Sequence, residues 1–154
     1  MDELPLTFRY VTGHFDCRSN NLTSLKGCPL EVGKSFYCDN NRLTSLEFCP
    51  TKVGRGFFCS DNKLTRLEGC PKHIPEHFNC SNNNISTLLG SPSYIGSTFY
   101  CYDNSLPESL IKCGIKPEII IKYQDEYQIW YSSGELNKNR LDIMINDFKM
   151  GYIE

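Results

Sequence analysis

Cysteine is the residue of this chain best equipped to do chemistry, and its spacing says which chemistry to expect. Nine cysteines occur among 154 residues. Cys17, Cys38, Cys59, Cys80 and Cys101 follow one another at intervals of 21, Cys28, Cys49 and Cys70 repeat the same interval, and Cys113 stands alone. A nucleophilic thiol needs a nearby base and access to solvent. A thiol that recurs once per repeat at an apolar position is more simply a small buried hydrophobe. Zinc would ask for closely spaced ligands, yet no C-x-x-C pair exists, the two series interleave at eleven and ten residues, and histidines number three. A disulfide demands a particular torsion as well as closeness, and the odd count without an export signal argues against a disulfide scaffold. Free thiols are expected, and Cys113 has no histidine or acid between Ile111 and Ile115 to activate it.

The remaining reactive residues do not assemble a catalytic site. His14 and His77 lie three repeats apart, roughly 14 Å at the spacing of neighbouring strands. His73 sits in a turn between Pro71 and Pro75, and Asp125 and Glu126 are adjacent on a helical stretch, where side chains diverge. Gly54-Arg55-Gly56 is a corner rather than a phosphate loop. No catalytic residue, metal ligand or cofactor is assigned. A net charge of -2 argues against a nucleic-acid partner. No apolar run approaches the ~18 residues of a membrane helix. The acidic start Met1-Asp2-Glu3-Leu4-Pro5 is unlike a secretory signal, so a cytoplasmic location is expected.

The elements that position these residues follow from the period. Phe15, Phe36, Phe57, Phe78 and Phe99 precede the first cysteine series by two residues. Asn20, Asn41, Asn62, Asn83 and Asn104 follow it by three, and Leu22, Leu43, Leu64, Ile85 and Leu106 by five. Phe36 and Cys38 alternate with Ser35, Tyr37 and Asp39, the period of a short strand. Asn41 falls where the chain must turn, and its amide can bond backbone groups freed by the bend, so stacked units would carry an Asn ladder. Leu43, Leu46 and Cys49 at spacing three suit a turn of 3₁₀ or loose helix that Pro50 stops. One unit thus makes one coil, and coils stack into a parallel sheet over a shared core of Phe, Cys, Leu and Val or Ile. Five strands span roughly 20–25 Å along such a stack.

Three regions result. Residues 1–14 read as a partial first unit, with Leu4 and Val11 lying 21 before Leu25 and Val32 and with Leu6, Phe8 and Tyr10 as added apolar bulk. Residues 15–110 are five repeats. Residues 111–154 break the period after Pro107, Gly114 and Pro117. Ile120, Tyr123, Tyr127 and Trp130 read as one helix face. Ser132-Ser133-Gly134 is a loop, Asn137 caps a second helix with Leu141, Met144, Ile145 and Phe148 inward, and Gly151 stops it. This tail is expected to cover the last coil, or else to serve as a small partner-binding element.

The unit F-x-C-x-x-N-x-L-x-x-L resembles the leucine-rich repeat, L-x-x-L-x-L-x-x-N-x-L, with Phe and Cys in two Leu slots. Gly33 and its equivalents hold the first slot, with Val32 positioned to take over its packing. The 21-residue unit is similar to the shorter bacterial leucine-rich repeats. The C-P-x-x-V-G and C-x-N-N-x-L-T-S-L stretches, and the tail I-W-Y-S-S-G-E-L-N-K-N-R, look like small repeat proteins carried by bacteriophages. The resemblance covers about residues 4–110 and implies an α/β solenoid: a right-handed leucine-rich-repeat arc with a parallel β-sheet and a helical C-terminal cap.

The resemblance places the strand residues flanking the core on the concave side of the arc. The expected partner-binding residues are Asp16, Arg18, Tyr37, Asp39, Phe58, Asp61, His77, Asn79, Tyr100, Tyr102 and Asp103. Tyrosine is a frequent anchor at protein interfaces, joining apolar area to a polar tip. The acids Asp16, Asp39, Asp61 and Asp103 would favour a basic partner patch. Aromatic pairs packing across strands with no ligand are the plainer alternative. The expected function is a protein-binding module that engages a bacterial host protein, in the host cytoplasm if the chain is phage-encoded, and inhibits it by occlusion; this last step rests on analogy. Binding of a sugar, nucleotide or other small molecule on the aromatic face and a structural or virion role are the alternatives.

Overall fold

The computed structural model describes residues 9–154. Leu4, Leu6 and Phe8, assigned above to the partial first unit, lie outside the described residues. Over the repeats each coil carries two short strands, one more than the period of two reveals. They are β1 (Tyr10–Val11) and β2 (Phe15–Asp16), β3 (Glu31–Val32) and β4 (Phe36–Tyr37), and β5 (Lys52–Val53) and β6 (Phe57–Phe58). β7 (His73–Ile74) and β8 (Phe78–Asn79), then β9 (Tyr94–Ile95) and β10 (Phe99–Tyr100), complete the series. The second strand of each coil joins one five-stranded parallel sheet in the order β2-β4-β6-β8-β10. Its register pairs Phe15 with Phe36, Phe36 with Phe57, Phe57 with Phe78 and Phe78 with Phe99. The first strands form parallel pairings of their own, with Val11 opposite Val32, Val32 opposite Val53 and Ile74 opposite Ile95. The chain is therefore a β-solenoid of stacked parallel strands, with a few helices after it.

The two strands of a coil meet at a corner that packs closely on the backbone of the preceding coil. A Cβ on Gly54 would collide with the carbonyl oxygen of Gly33 in the preceding coil. That crowding accounts for the glycines at 33, 54 and 96, while Thr12 and Pro75 hold the equivalent position in the other two coils. Val32, Val53 and Ile74, one residue earlier, supply the packing and are buried.

The core follows the sequence ladder. Phe36, Phe57 and Phe78 are fully buried, as are Cys38, Cys59 and Cys80 and the Leu22, Leu43 and Leu64 series. The phenylalanine rings contact along the stack at centroid separations of 5.2–5.9 Å. Each such ring contributes ~1.5–3 kcal/mol by leaving water. All nine cysteines are free thiols. Several donate to a carbonyl of the next coil, Cys17 to Tyr37 at 3.3 Å and Cys70 to Gly90 at 3.1 Å. Burial pushes the thiols of Cys38, Cys59 and Cys80 well up from their ordinary value and that of Cys70 to about 12.

The asparagine ladder runs as its spacing predicts. Asn83 Oδ1 accepts from Leu64 N–H of the preceding coil, while Asn83 Nδ2 donates to the carbonyls of Cys59, Cys80 and Ser81. Asn41 and Asn62 repeat this arrangement, and Asn104 closes it on Ile85 and Cys80.

The return segment is not the 3₁₀ or helical turn expected from spacing three. It is a β-turn closed by Cys49 N–H to Leu46 O at 3.1 Å, repeated at Cys28, Cys70 and Ser91. The third residue of each turn has positive φ: Gly27 at 93°, Phe48 at 65°, Gly69 at 95° and Gly90 at 79°. That is the mark of a type II turn, and glycine supplies it without steric cost in three coils of the four.

Beyond the coils come α1 (Glu108–Ile111), α2 (Pro117–Tyr127) and α3 (Lys138–Lys149). Pro117 stands in the first turn of α2 and suits it, since its missing N–H would be unpaired there anyway. The helix ends at Tyr127, so Trp130 lies past it, in an isolated bridge with Leu136. Asn137 caps α3 by accepting from Arg140 N–H at 3.2 Å. Leu141 and Met144 are buried, Ile145 and Phe148 half-buried, and Gly151 follows the helix with φ at 75°. Ile120, Ile121, Leu141 and Met144 belong to the same hydrophobic cluster as the coil core. Among the described residues no helix is long and apolar enough to cross a membrane.

Candidate functional site: the strand face

Parallel register turns each repeat position into a column. One column is Asp16, Tyr37, Phe58, Asn79 and Tyr100, opposed residue by residue along the sheet. Two residues later in each coil stand Arg18, Asp39, Ser60, Ser81 and Tyr102. One further on are Ser19, Asn40, Asp61, Asn82 and Asp103, all in the left-handed region with φ of 52–54°. Ser, Asn and Asp suit this corner because short polar side chains tolerate that conformation. The fourth column, His14, Ser35, Gly56, His77 and Thr98, runs before the phenylalanines. In its first two steps the side chain accepts from the next coil's backbone: His14 Nδ1 from Ser35 N–H at 3.2 Å and Ser35 Oγ from Gly56 N–H at 3.4 Å. All eleven expected site residues thus fall on one ribbon.

The aromatic residues of this ribbon make contacts among themselves. Tyr37 and Phe58 stack with centroids 4.8 Å apart and planes 11° from parallel. The Arg18 guanidinium sits 4.6 Å from the Tyr37 ring centre, a cation–π contact. Phe58 leans back over Gly56, where a Cβ would meet its ring at 2.5 Å. Gly56 is therefore more than a variable corner, because its missing side chain seats that ring. Tyr37, Phe58 and Asn79 are half-buried, whereas Tyr100 and Tyr102 are 40% and 57% exposed. The ribbon is packed at its middle and open at its C-terminal end.

The four acids do not form one edge. Asp16 is held by Arg18 through two hydrogen bonds of 2.9 and 2.7 Å, which keep its carboxyl below the ordinary carboxylate range. Asp39 is half-buried and accepts from Ser60 N–H and Oγ at 3.1 and 2.9 Å. Burial raises the Asp39 carboxyl above its usual range against the opposing pull of Ser60. Asp61 accepts from Asn82 Nδ2 at 3.1 Å, and it shares the left-handed column with Asp103. Both of those are exposed, so they are the acids best placed to meet a partner's positive charge.

His77 lies 6.3 Å from Tyr100, ring centre to ring centre. Its Nδ1 and the Ser81 Oγ are buried without a hydrogen-bond partner among the described residues. His14 contacts Tyr37 at 5.9 Å, three coils away from His77. No group of three His, Cys, Asp or Glu residues that could hold a metal ion occurs among the described residues.

Two residues that tie the coils to the helices escaped sequence reasoning. Glu118 Oε1 accepts from Phe99 N–H at 2.8 Å. Earlier coils send the equivalent N–H to a carbonyl 20 residues on, as Phe78 does to Thr98. Continuing that rule points to residue 119, next to Glu118, which is the one signal the sequence held. Gln124 is buried and links three partners: its Nε2 donates to Ser91 Oγ at 2.8 Å and Leu88 O at 3.3 Å, and its Oε1 accepts from Trp130 Nε1 at 2.9 Å. No protein-family model, curated protein or solved structure matches this chain.

Proposed function

We propose that this protein is a binding module of the leucine-rich-repeat type, a right-handed arc closed at its C-terminal end by α1–α3, that docks a protein partner on the face of β2, β4, β6, β8 and β10. The observation that carries this reading is the in-register ribbon of Tyr37, Phe58, Tyr100 and Tyr102 interleaved with Asp39, Asp61 and Asp103. Rigid aromatic area beside fixed charge is what protein interfaces use as anchors. A solenoid offers it as an extended surface. The likeness to phage-carried repeat proteins makes a bacterial host protein the first partner to seek, with inhibition by occlusion of the partner's own working surface. Stacking of a sugar or nucleotide between Tyr37 and Phe58 is less well supported, because those two rings already cover each other.

The test compares three immobilised proteins in a bacterial lysate: the parent, Tyr37→Ala/Tyr100→Ala, and Leu30→Ser, a substitution outside this sheet. A specific partner should be retained by the parent and by Leu30→Ser and lost by the double variant. Equal recovery of every bound protein by all three would remove the strand face from the account.

A further inference from the structure

The last coil leaves the backbone ladder incomplete. In each earlier coil the Cys N–H donates to the next coil: Cys17 to Tyr37, Cys38 to Phe58, Cys59 to Asn79 and Cys80 to Tyr100, at 2.8–2.9 Å. The residue at the left-handed corner does the same: Ser19 to Asp39, Asn40 to Ser60, Asp61 to Ser81 and Asn82 to Tyr102. Of the outward donors at Phe99, Cys101 and Asp103 in the last coil, Phe99 N–H is answered, by the Glu118 carboxylate. Cys101 N–H and Asp103 N–H have no acceptor among the described residues.

A cleft of about 390 Å³ lies between this coil and the helical segment that follows it. Phe99, Leu110, Ile115 and Ile120 line it and are buried, and Tyr102 and Ile111 line it and are exposed. Cys101 and Asp103 line it too. Such a volume falls within the ~300–1,000 Å³ of ordinary ligand sites.

We propose that this cleft binds an extended peptide that adds to the edge of β10 as a further parallel strand, places one large apolar side chain among Phe99, Leu110, Ile115 and Ile120, and carries a lysine or arginine beside it. Three features select this occupant. Cys101 and Asp103 N–H stand two residues apart, and every earlier coil fills the same pair of donors with carbonyls two residues apart on an extended chain. An added strand reproduces that carbonyl spacing, as in other cases of strand addition to an open sheet edge. The cleft lining selects an apolar side chain. Asp103, and Glu118 beside the edge at Phe99, set negative charge on either side, which favours a cationic neighbour and opposes an acidic one. The Cys101 thiol, pushed up to about 11 by burial, stays protonated and adds a small apolar contact.

The cleft shares Tyr100, Tyr102 and Asp103 with the C-terminal end of the strand face. Tyr37 and Phe58 lie outside its lining and its apolar floor lies outside the ribbon, so substitutions at Tyr37 and at Ile111 tell the two proposals apart. The probes are the acetylated, amidated peptide Arg-Val-Leu-Val-Lys, its Leu→Ser form, its form with both basic residues changed to glutamate, and N-acetyl-leucine amide. Each is titrated into the full chain while backbone amides are followed by NMR and hydrogen exchange. The first peptide should move and protect the Cys101 and Asp103 amides. The Leu→Ser and glutamate forms, and the variant Ile111→Arg at the exposed rim, should each bind at least about tenfold more weakly. Tyr37→Ala should leave binding unchanged. Absence of any change at Cys101 and Asp103 with the first peptide at millimolar concentration overturns the proposal, as does unchanged affinity in Ile111→Arg. Equal affinity for N-acetyl-leucine amide also overturns it, by making the cleft a small-molecule site.

Discussion

Asn83 Oδ1 accepts the backbone N–H of Leu64, 19 residues earlier, at 2.9 Å, and so ties one coil to the coil before it. Its Nδ2 donates to three carbonyls, one of them Cys59 in that same earlier coil. Leu64 N–H depends on this side chain, whereas the carbonyls of Cys59, Cys80 and Ser81 also accept from Asn62 Nδ2, Asn104 Nδ2 and Asp61 N–H. Asn83→Ala should therefore cost about 1–3 kcal/mol in urea unfolding, since the buried Leu64 N–H loses its partner. Asn83→Asp should cost at least as much near neutral pH, because a carboxylate would face the carbonyls that the amide now satisfies. A loss under about 0.5 kcal/mol in both would mean that the ladder adds nothing to coil stacking.

This ladder is where the sequence was most legible. A residue type fixed at a 21-residue interval can only be satisfying the same geometry each time, so asparagine, cysteine and phenylalanine all disclosed their roles. What the period could not show is what happens between coils. The second strand at Val32, Val53 and Ile74 carries no alternation long enough to read, being two residues long. The tight corner appears only when Gly54 is seen against the Gly33 carbonyl. Glu118 and Gln124 act at the junction where the repeat has ended, and the period points only to the neighbourhood of Glu118 and not to Gln124. On the candidate face, the leucine-rich-repeat resemblance placed the eleven residues on one ribbon but could not tell that Asp16 and Asp39 are occupied by Arg18 and Ser60.

Phe48 occupies a turn position whose equivalents are glycines, with φ of 65° and 55% of its surface exposed. A bulky residue in the left-handed region costs ~1–2 kcal/mol, and the added chain freedom of glycine returns ~0.5–1 kcal/mol of that cost. Phe48→Gly should consequently raise stability slightly, by up to about 1 kcal/mol in urea unfolding. A marked loss would show that the Phe48 ring is held in packing of its own.

Burial raises the Asp39 carboxyl. A carboxyl whose folded value lies above its unfolded value contributes stability when protonated, and that contribution is lost as pH rises through the folded value. Near neutral pH the charged Asp39 is thus a burden. Asp39→Asn keeps an acceptor for Ser60 and removes the charge. The variant should be more stable than the parent near pH 7, with the difference shrinking as pH is lowered toward about 4. A gain that grows on acidification would reverse the assignment. Asp16 has the opposite sign, because Arg18 lowers it, but that pair is exposed and contributes little.

Gln124 joins Trp130 on one side to Ser91 and Leu88 on the other. Gln124→Leu should take the partner from Trp130 Nε1 and Ser91 Oγ, the Leu88 carbonyl keeping Ser91 N–H, and cost about 2–4 kcal/mol. The emission of the chain's one tryptophan should shift to the red in the folded protein. Unchanged emission and stability would mean that the helices are anchored to the coils by their apolar contacts alone.

Cys17, Cys38, Cys49, Cys59, Cys70 and Cys80 are buried, while Cys28, Cys101 and Cys113 are half-buried. Raised thiol values add to this protection. A disulfide reagent such as Ellman's should titrate all nine thiols in denaturant but react slowly with the native protein, first at the half-buried three. Rapid native reaction at Cys38 or Cys59 would be incompatible with a closed coil core.

The central claim is that the ribbon across β2, β4, β6, β8 and β10 is the surface that meets a partner. Hydroxyl-radical footprinting of the protein alone and with its captured partner tests it most directly, because side-chain oxidation reports on the aromatic residues themselves. The account predicts that Tyr37, Phe58, Tyr100 and Tyr102 lose reactivity in the complex while Leu30, Phe48 and Tyr152 keep theirs. Protection confined to Leu30 and Phe48, or to Tyr152, with the four ribbon aromatics unchanged, would contradict it.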